Sequence, residues 1–163
     1  MSIAFSMGEI IKIAVGIEKQ GVVFYDVMAR STKQPDTRNL FIQLADAERL
    51  HMETFSKMMP EPDTTSTPVN EEPPEYSDYL KALVNNAVFT DEMATSDLAT
   101  RIESDVEALN IGINAEKDSI LFYYHIKEVM PSPVVPLVDK IIEEEKLHIR
   151  RLNEMKNKIS GVK

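Results

Sequence analysis

Glu48-Arg49-Leu50-His51 and Glu145-Lys146-Leu147-His148 are one pattern, Glu-x-x-His, written twice at an offset of 97 residues. Met58 and Met155 keep that offset. Ahead of each copy stands a lone glutamate followed by an aromatic pair. Glu18-Lys19 precedes Phe24-Tyr25, and Glu116-Lys117 precedes Phe122-Tyr123, at an offset of 98. The chain therefore has two related halves, each with one Glu on a first segment and Glu-x-x-His on a second.

The residues around these motifs recur at spacings of three and four, which is the period of a helix, and the chain has only five glycines. Four long helices are expected, at about 6–30, 36–59, 104–130 and 134–159. Ser6-Met7-Gly8-Glu9 and Ser104-Asp105-Val106-Glu107 read as capping boxes that open the first and third. Residues 31–35 form a short loop, and Pro131-Ser132-Pro133 breaks the chain before the fourth helix. Short loops make each pair of helices an antiparallel hairpin.

Between the hairpins, residues 60–75 hold five prolines with acids and threonines and show no periodicity. They read as a surface strap or linker. A short helix is expected over 76–86, while 89–101 stays open between helix and loop. The whole connection, 60–103, is long enough to cross a bundle whose helices are each roughly 38 Å long. The expectation is an all-α four-helix bundle, two antiparallel hairpins joined by a long crossover with a short extra helix, forming a single domain over 1–163.

The apolar share of 43% and charged share of 28% suit a globular chain with a real core. A net charge of −9 argues against nucleic acid or an anionic membrane surface as partner, since both are polyanions. No cysteine is present, which excludes disulfides, thiolate-held metals and a thiol nucleophile. The apolar stretch at 10–17 is short and interrupted by Lys12, and no run nears the roughly 20 residues that span a bilayer. A cytoplasmic protein is the default expectation.

Placed on their helices, the motif residues interrupt the apolar stripes. Glu18 falls in line with Ile11, Ala14, Val15, Val22 and Tyr25; Glu48 and His51 with Phe41, Leu44, Ala45, Met52 and Phe55. Glu116 falls in line with Leu109, Gly112, Ile113, Ile120 and Tyr123; Glu145 and His148 with Val138, Ile141, Ile149 and Leu152. All four carboxylates should point inward. A buried carboxylate without a partner costs several kcal/mol or takes up a proton. No Lys or Arg lies on these stripes, but two divalent cations would balance four carboxylates, with the imidazoles completing the ligand set. The i, i+3 spacing lets Glu and His reach one centre, and mixed carboxylate and imidazole donors suit iron or manganese better than magnesium or calcium. A single Glu-x-x-His on a solvated helix would carry little weight; two, at matching offsets on core stripes, carry much more.

At these residues the chain resembles the rubrerythrin branch of the ferritin-like di-iron carboxylate superfamily, over all four long helices. The resemblance implies two iron ions, replaceable by manganese or zinc. It makes Glu18 and Glu116 terminal ligands, Glu48 and Glu145 bridging ligands, and His51 and His148 one ligand to each metal. It implies hydrogen-bonding tyrosines near the site, Tyr25 and Tyr123, with Tyr124 as an alternative. It also implies an oxidoreductase that reduces O2 or peroxide.

Two departures qualify that activity. A rubredoxin domain, which holds iron through four cysteines, has no counterpart here, so electrons are expected from a separate donor protein. The second Glu that the family places three residues from the first on helix 3 is replaced by Ile113 or Ser119, which weakens a peroxidase assignment. Competing readings are a ferroxidase or iron-binding protein, a hydroxylase or desaturase of the same fold, and a metal-free interaction module. A homodimer is the base-rate oligomer. His125, Glu53, Glu143 and Glu144 read as packed or solvent-facing residues outside the ligand set.

Overall fold

The computed structural model describes residues 6–59, 82 and 97–161. Its helices are α1 (Met7–Ser31), α2 (Pro35–Lys57), the one-turn α3 (Asp97–Arg101), α4 (Asp105–Val129) and α5 (Val135–Ser160). The short helix expected at 76–86 lies outside the described residues except position 82, which is helical, as does the proline-rich stretch. Part of the open segment 89–101 is settled by α3, which lies against α1.

Helix ends follow the local chemistry, with two adjustments. The Ser6 capping box is complete: Ser6 Oγ accepts from Glu9 N at 3.3 Å, and Ser6 N donates to Glu9 Oε2 at 2.7 Å. At α4 only half of the expected box forms. Ser104 Oγ accepts from Glu107 N at 3.2 Å, but the Glu107 carboxylate accepts a hydrogen bond from Glu103 N, at 2.8 Å, rather than from Ser104 N. Pro35 belongs to the first turn of α2 rather than to the loop, because a first-turn residue has no intrahelical use for its N–H. Pro136 occupies the same kind of position in α5.

Helices α1 and α2 form one hairpin and α4 and α5 the other, with the closest backbone packing inside each pair. Across the hairpins α1 faces α4 and α2 faces α5. Both cross-pairs are antiparallel. Residues 25 and 18 of α1 meet residues 116 and 123 of α4, and residues 36 and 51 of α2 meet residues 158 and 144 of α5. The loop after α1 therefore sits beside the start of α4, where Thr32 Oγ1 donates to Asp105 Oδ2 at 2.6 Å. Lys57 and Asp105 consequently lie at opposite ends of the bundle.

The core divides into two apolar clusters. One gathers Tyr25, Met28, Phe41, Leu44, Leu109 and Leu152 near the α1–α2 turn. The other gathers Ile11, Phe55, Tyr123, Ile126, Val138 and Ile141 at the far end. Between them lies a layer of buried charged side chains. Among the described residues no helix is long and apolar enough to cross a membrane.

Candidate metal centre

Each long helix delivers its motif to that layer by the spacing that builds its apolar stripe. Glu18 lies between buried Ala14 and Tyr25 on α1, and Glu48 and His51 between Leu44 and Phe55 on α2. Glu116 lies between Leu109 and Tyr123 on α4, and Glu145 and His148 between Ile141 and Leu152 on α5. None of the six is more than 4% exposed, and Glu145 is completely covered. Of the expected stripe residues, Val15, Val22, Met52, Ile120 and Ile149 are half-buried.

The six side chains converge. His51 Nδ1 lies 3.0 Å from Glu145 Oε1, 3.4 Å from Glu48 Oε2 and 3.7 Å from Glu18 Oε2. His148 Nδ1 lies 2.7 Å from Glu145 Oε2, 3.2 Å from Glu48 Oε1 and 3.6 Å from Glu116 Oε1. Glu48 and Glu145 thus each turn one oxygen to one histidine and the other oxygen to the second. The imidazoles stack at 5.7 Å between centroids. Two four-residue donor groups result, Glu18–Glu48–His51–Glu145 and Glu48–Glu116–Glu145–His148, which share Glu48 and Glu145.

The layer is not balanced by its own hydrogen bonds. Glu48 Oε1, both oxygens of Glu145, and Nδ1 of His51 and of His148 are buried without a hydrogen-bond partner. Such atoms are costly unless something else binds them. Burial raises the Glu18 carboxyl well above its ordinary value, and the charge of Glu48 adds to that; Glu116 is raised by burial and by Glu145 and Glu48. For Glu48, burial and the charge of Glu145 also act upward, but contacts with Glu18, His148 and His51 outweigh them and it is lowered. Burial opposes a charged His148, yet the carboxylates of Glu116, Glu145 and Glu48 push it up to about 12, and His51 is raised in the same way. The chain alone must hold protons in this layer. Two divalent cations would replace them and engage the orphaned lone pairs, so the donor set fits a pair of metal ions.

Two tyrosines tie the layer across the hairpins. Tyr25 Oη donates to Glu116 Oε1 and Tyr123 Oη donates to Glu18 Oε1. Burial, and the charges of Glu116 and Glu18 respectively, raise both phenols, which keeps them protonated as donors. Phe41 stacks on Tyr25 and Phe55 packs on Tyr123, fixing both rings. Tyr124, the alternative from sequence, is 42% exposed under Lys146 and stands outside the layer. It is displaced because Tyr123, two turns beyond Glu116, holds the inward register.

One contact overturns an expectation. Glu144, read as solvent-facing, is half-buried, and its Oε2 lies 2.7 Å from His51 Nε2. It reaches from α5 to a histidine on α2. Glu143 is exposed and pairs with Lys146, and Glu53 is exposed near Lys57, as expected. His125 is buried away from the six, and burial lowers its pKa. Neither Ile113 nor Ser119 adds a carboxylate: Ile113 packs in the core, and Ser119 Oγ donates to Ala115 O at 3.1 Å. Gly21 allows Glu48 to lie close to α1, since a Cβ there would stand 3.2 Å from Glu48 Cγ.

The rubrerythrin family model matches residues 9–156, which include every one of these side chains. The chain belongs to the rubrerythrin family. Its fold also matches the crystal structure of a protein from Thermotoga maritima assigned as a ferritin-like diiron-carboxylate protein. That match has a TM-score of 0.72 and 31% identity, and covers 94% of this chain and 96% of the other. No significant match appears among curated proteins. The rubrerythrin match, with the likeness to a ferritin-like structure, accounts for the two hairpins and the long crossover. The four carboxylates and two histidines form the buried layer that a member of this family would use to hold metal.

Proposed function

We propose that this protein holds two iron ions and uses them to reduce O2 or hydrogen peroxide with electrons from a separate donor protein. The observation that carries the reading is the shared use of Glu48 and Glu145. Each carboxylate addresses both histidines, the arrangement two adjacent cations require. Glu18 and His51 would complete one position, Glu116 and His148 the other. Manganese or zinc would fit the same donors. When bound, a pair of iron ions supplies the two electrons that either oxidant takes up.

The chain's own residues do the rest. The two apolar clusters restrict water around the layer, which strengthens every electrostatic contact within it. Tyr123 holds Glu18 Oε1 and leaves Oε2 turned to His51, whereas Tyr25 holds Glu116 Oε1, the oxygen that also faces His148. The protonated phenols are also the nearest proton donors to the terminal carboxylates. Glu48 and Glu145 keep the two positions together.

Protein loaded anaerobically with two ferrous ions per chain, then mixed with O2 or peroxide in a stopped-flow instrument, should oxidise both ions. Glu48→Ala and Glu145→Ala should abolish the paired oxidation. Lack of reaction with either oxidant would remove the redox reading. Uptake far beyond two irons per chain would instead make the protein an iron-storing ferroxidase.

A further inference from the structure

We propose that the two metal positions are unequal, and that Glu144 makes the His51 position the tighter one and the first to fill. The inference rests on the metal-binding part of the reading above and not on its redox part.

The inner donors are the same in kind at both positions, although Tyr25 donates to the Glu116 oxygen that faces His148 while Tyr123 donates to the Glu18 oxygen that does not face His51. Both contain one terminal Glu, two shared carboxylates and one His, and each terminal Glu receives a tyrosine hydroxyl. The Nδ1 distances to the carboxylates are also similar on the two sides. A difference in composition lies behind the rings. Glu144 Oε2 sits 2.7 Å from His51 Nε2, the nitrogen turned away from the centre. The offset of 97 that pairs His51 with His148 pairs Glu144 with Ala47. Alanine has nothing to offer His148, and among the described residues no carboxylate lies within 4.0 Å of its Nε2.

A carboxylate on the far nitrogen does two things. It holds the proton on Nε2, so Nδ1 presents its lone pair to the centre, and it makes the imidazole a stronger donor. Both effects act on His51 without disturbing Nδ1, so they persist once a cation binds. Lys140 Nζ stands 3.6 Å from the other oxygen of Glu144, but that lysine is exposed and solvent screens it. Removing such an outer partner from a metal-bound histidine typically costs 10–100-fold in metal affinity.

The test is calorimetric addition of Zn(II), which undergoes no redox change, to the metal-free full chain. Wild type should bind two ions in two steps at least about tenfold apart. His51→Ala should abolish the tighter step, while His148→Ala should abolish the weaker. Glu144→Ala should weaken the tighter step about 10–100-fold and close the gap. Ala47→Glu should strengthen the weaker step. Far-UV circular dichroism checks that each variant folds, and Glu144, being half-exposed, is a mild site to change. Two equal steps in wild type, or a gap that Glu144→Ala leaves intact, would overturn the inequality while leaving the metal pair standing. No Zn(II) uptake at all would overturn both. Failure of the iron-loaded protein to react with oxidant would leave the inequality untouched.

Discussion

Around its Glu-x-x-His and lone Glu, the first hairpin carries Gly21, Asp26 and Ala47; at the matching offsets the second carries Ser119, Tyr124 and Glu144. The six donors and the two tyrosines are duplicated, because each half must finish a layer the other half begins. Residues one step away from that layer have diverged. Asp26 pairs with Arg49 at 2.6 Å, whereas Tyr124 lies under Lys146. Gly21 makes room for Glu48, whereas Ser119 bonds to its own helix. The lesson is that pseudo-symmetry holds where two halves share atoms and lapses where each faces its own surroundings.

The largest expected effect tests the shared part. Divalent cation at 100–1,000 times its dissociation constant should stabilise wild type by about 3–4 kcal/mol, by preferential binding to the folded chain. Glu48→Ala and Glu145→Ala should each lose most of that increment in thermal melts, to the same degree. A loss confined to one of them would break the symmetry of the bridge.

Next come the tyrosines. Tyr25→Phe and Tyr123→Phe each leave a buried carboxylate oxygen without its donor, at a cost of about 1–3 kcal/mol in denaturant unfolding. Equal costs are expected, since both phenols are fully buried and make the same bond.

A pH series reads both hairpins together. Glu18 and Glu116 are raised above the ordinary 4.5, so the folded chain binds their protons more tightly than the unfolded chain. Their contribution to metal-free stability is complete below about pH 4.5 and is lost as pH rises. His148 has the same sign: its contribution is complete below about pH 6.5 and is lost on the way to about 12. Metal-free protein should therefore weaken from about pH 5 to 8. Cations displace those protons, so the cation-induced rise in Tm should grow over the same interval. A rise that shrinks would show that no protons leave the layer.

Gly21→Ala gives a smaller and more discriminating effect. Alanine gains up to about 1 kcal/mol in a helix over glycine, but its Cβ presses on Glu48 Cγ. Without metal Glu48 can give way, so stability should hold or rise; with metal it is fixed, so affinity should fall. The smallest effect belongs to the outer surface. Arg49→Ala should cost no more than about 1 kcal/mol, as for other part-exposed ion pairs.

Period and offset made the bundle and the convergence of the six buried side chains legible in sequence, because a core stripe must recur every three to four residues and a carboxylate on it must be answered. The choice between Tyr123 and Tyr124 was also in the spacing, since only Tyr123 lies two turns from Glu116. Glu144 was hidden for a physical reason. It sits about 100° around the helix from Glu145, a position that ordinarily meets water. Whether it reaches His51 depends on how α5 is rotated and how near it stands to α2, which no spacing along one helix encodes. The one signal available was that its counterpart is Ala47. Glu107 misled in the opposite sense: its spacing promised a reciprocal cap, but Glu103 N competed successfully for the carboxylate.

The crossed tyrosine bonds carry a last consequence. Each phenol steadies a glutamate from the opposite half of the chain, so neither half on its own owns a supported donor set. Severed between the halves, the protein would become two pieces that recognise one another through a buried polar seam. Divalent cations would be the mortar of that seam, and a chelator would loosen it.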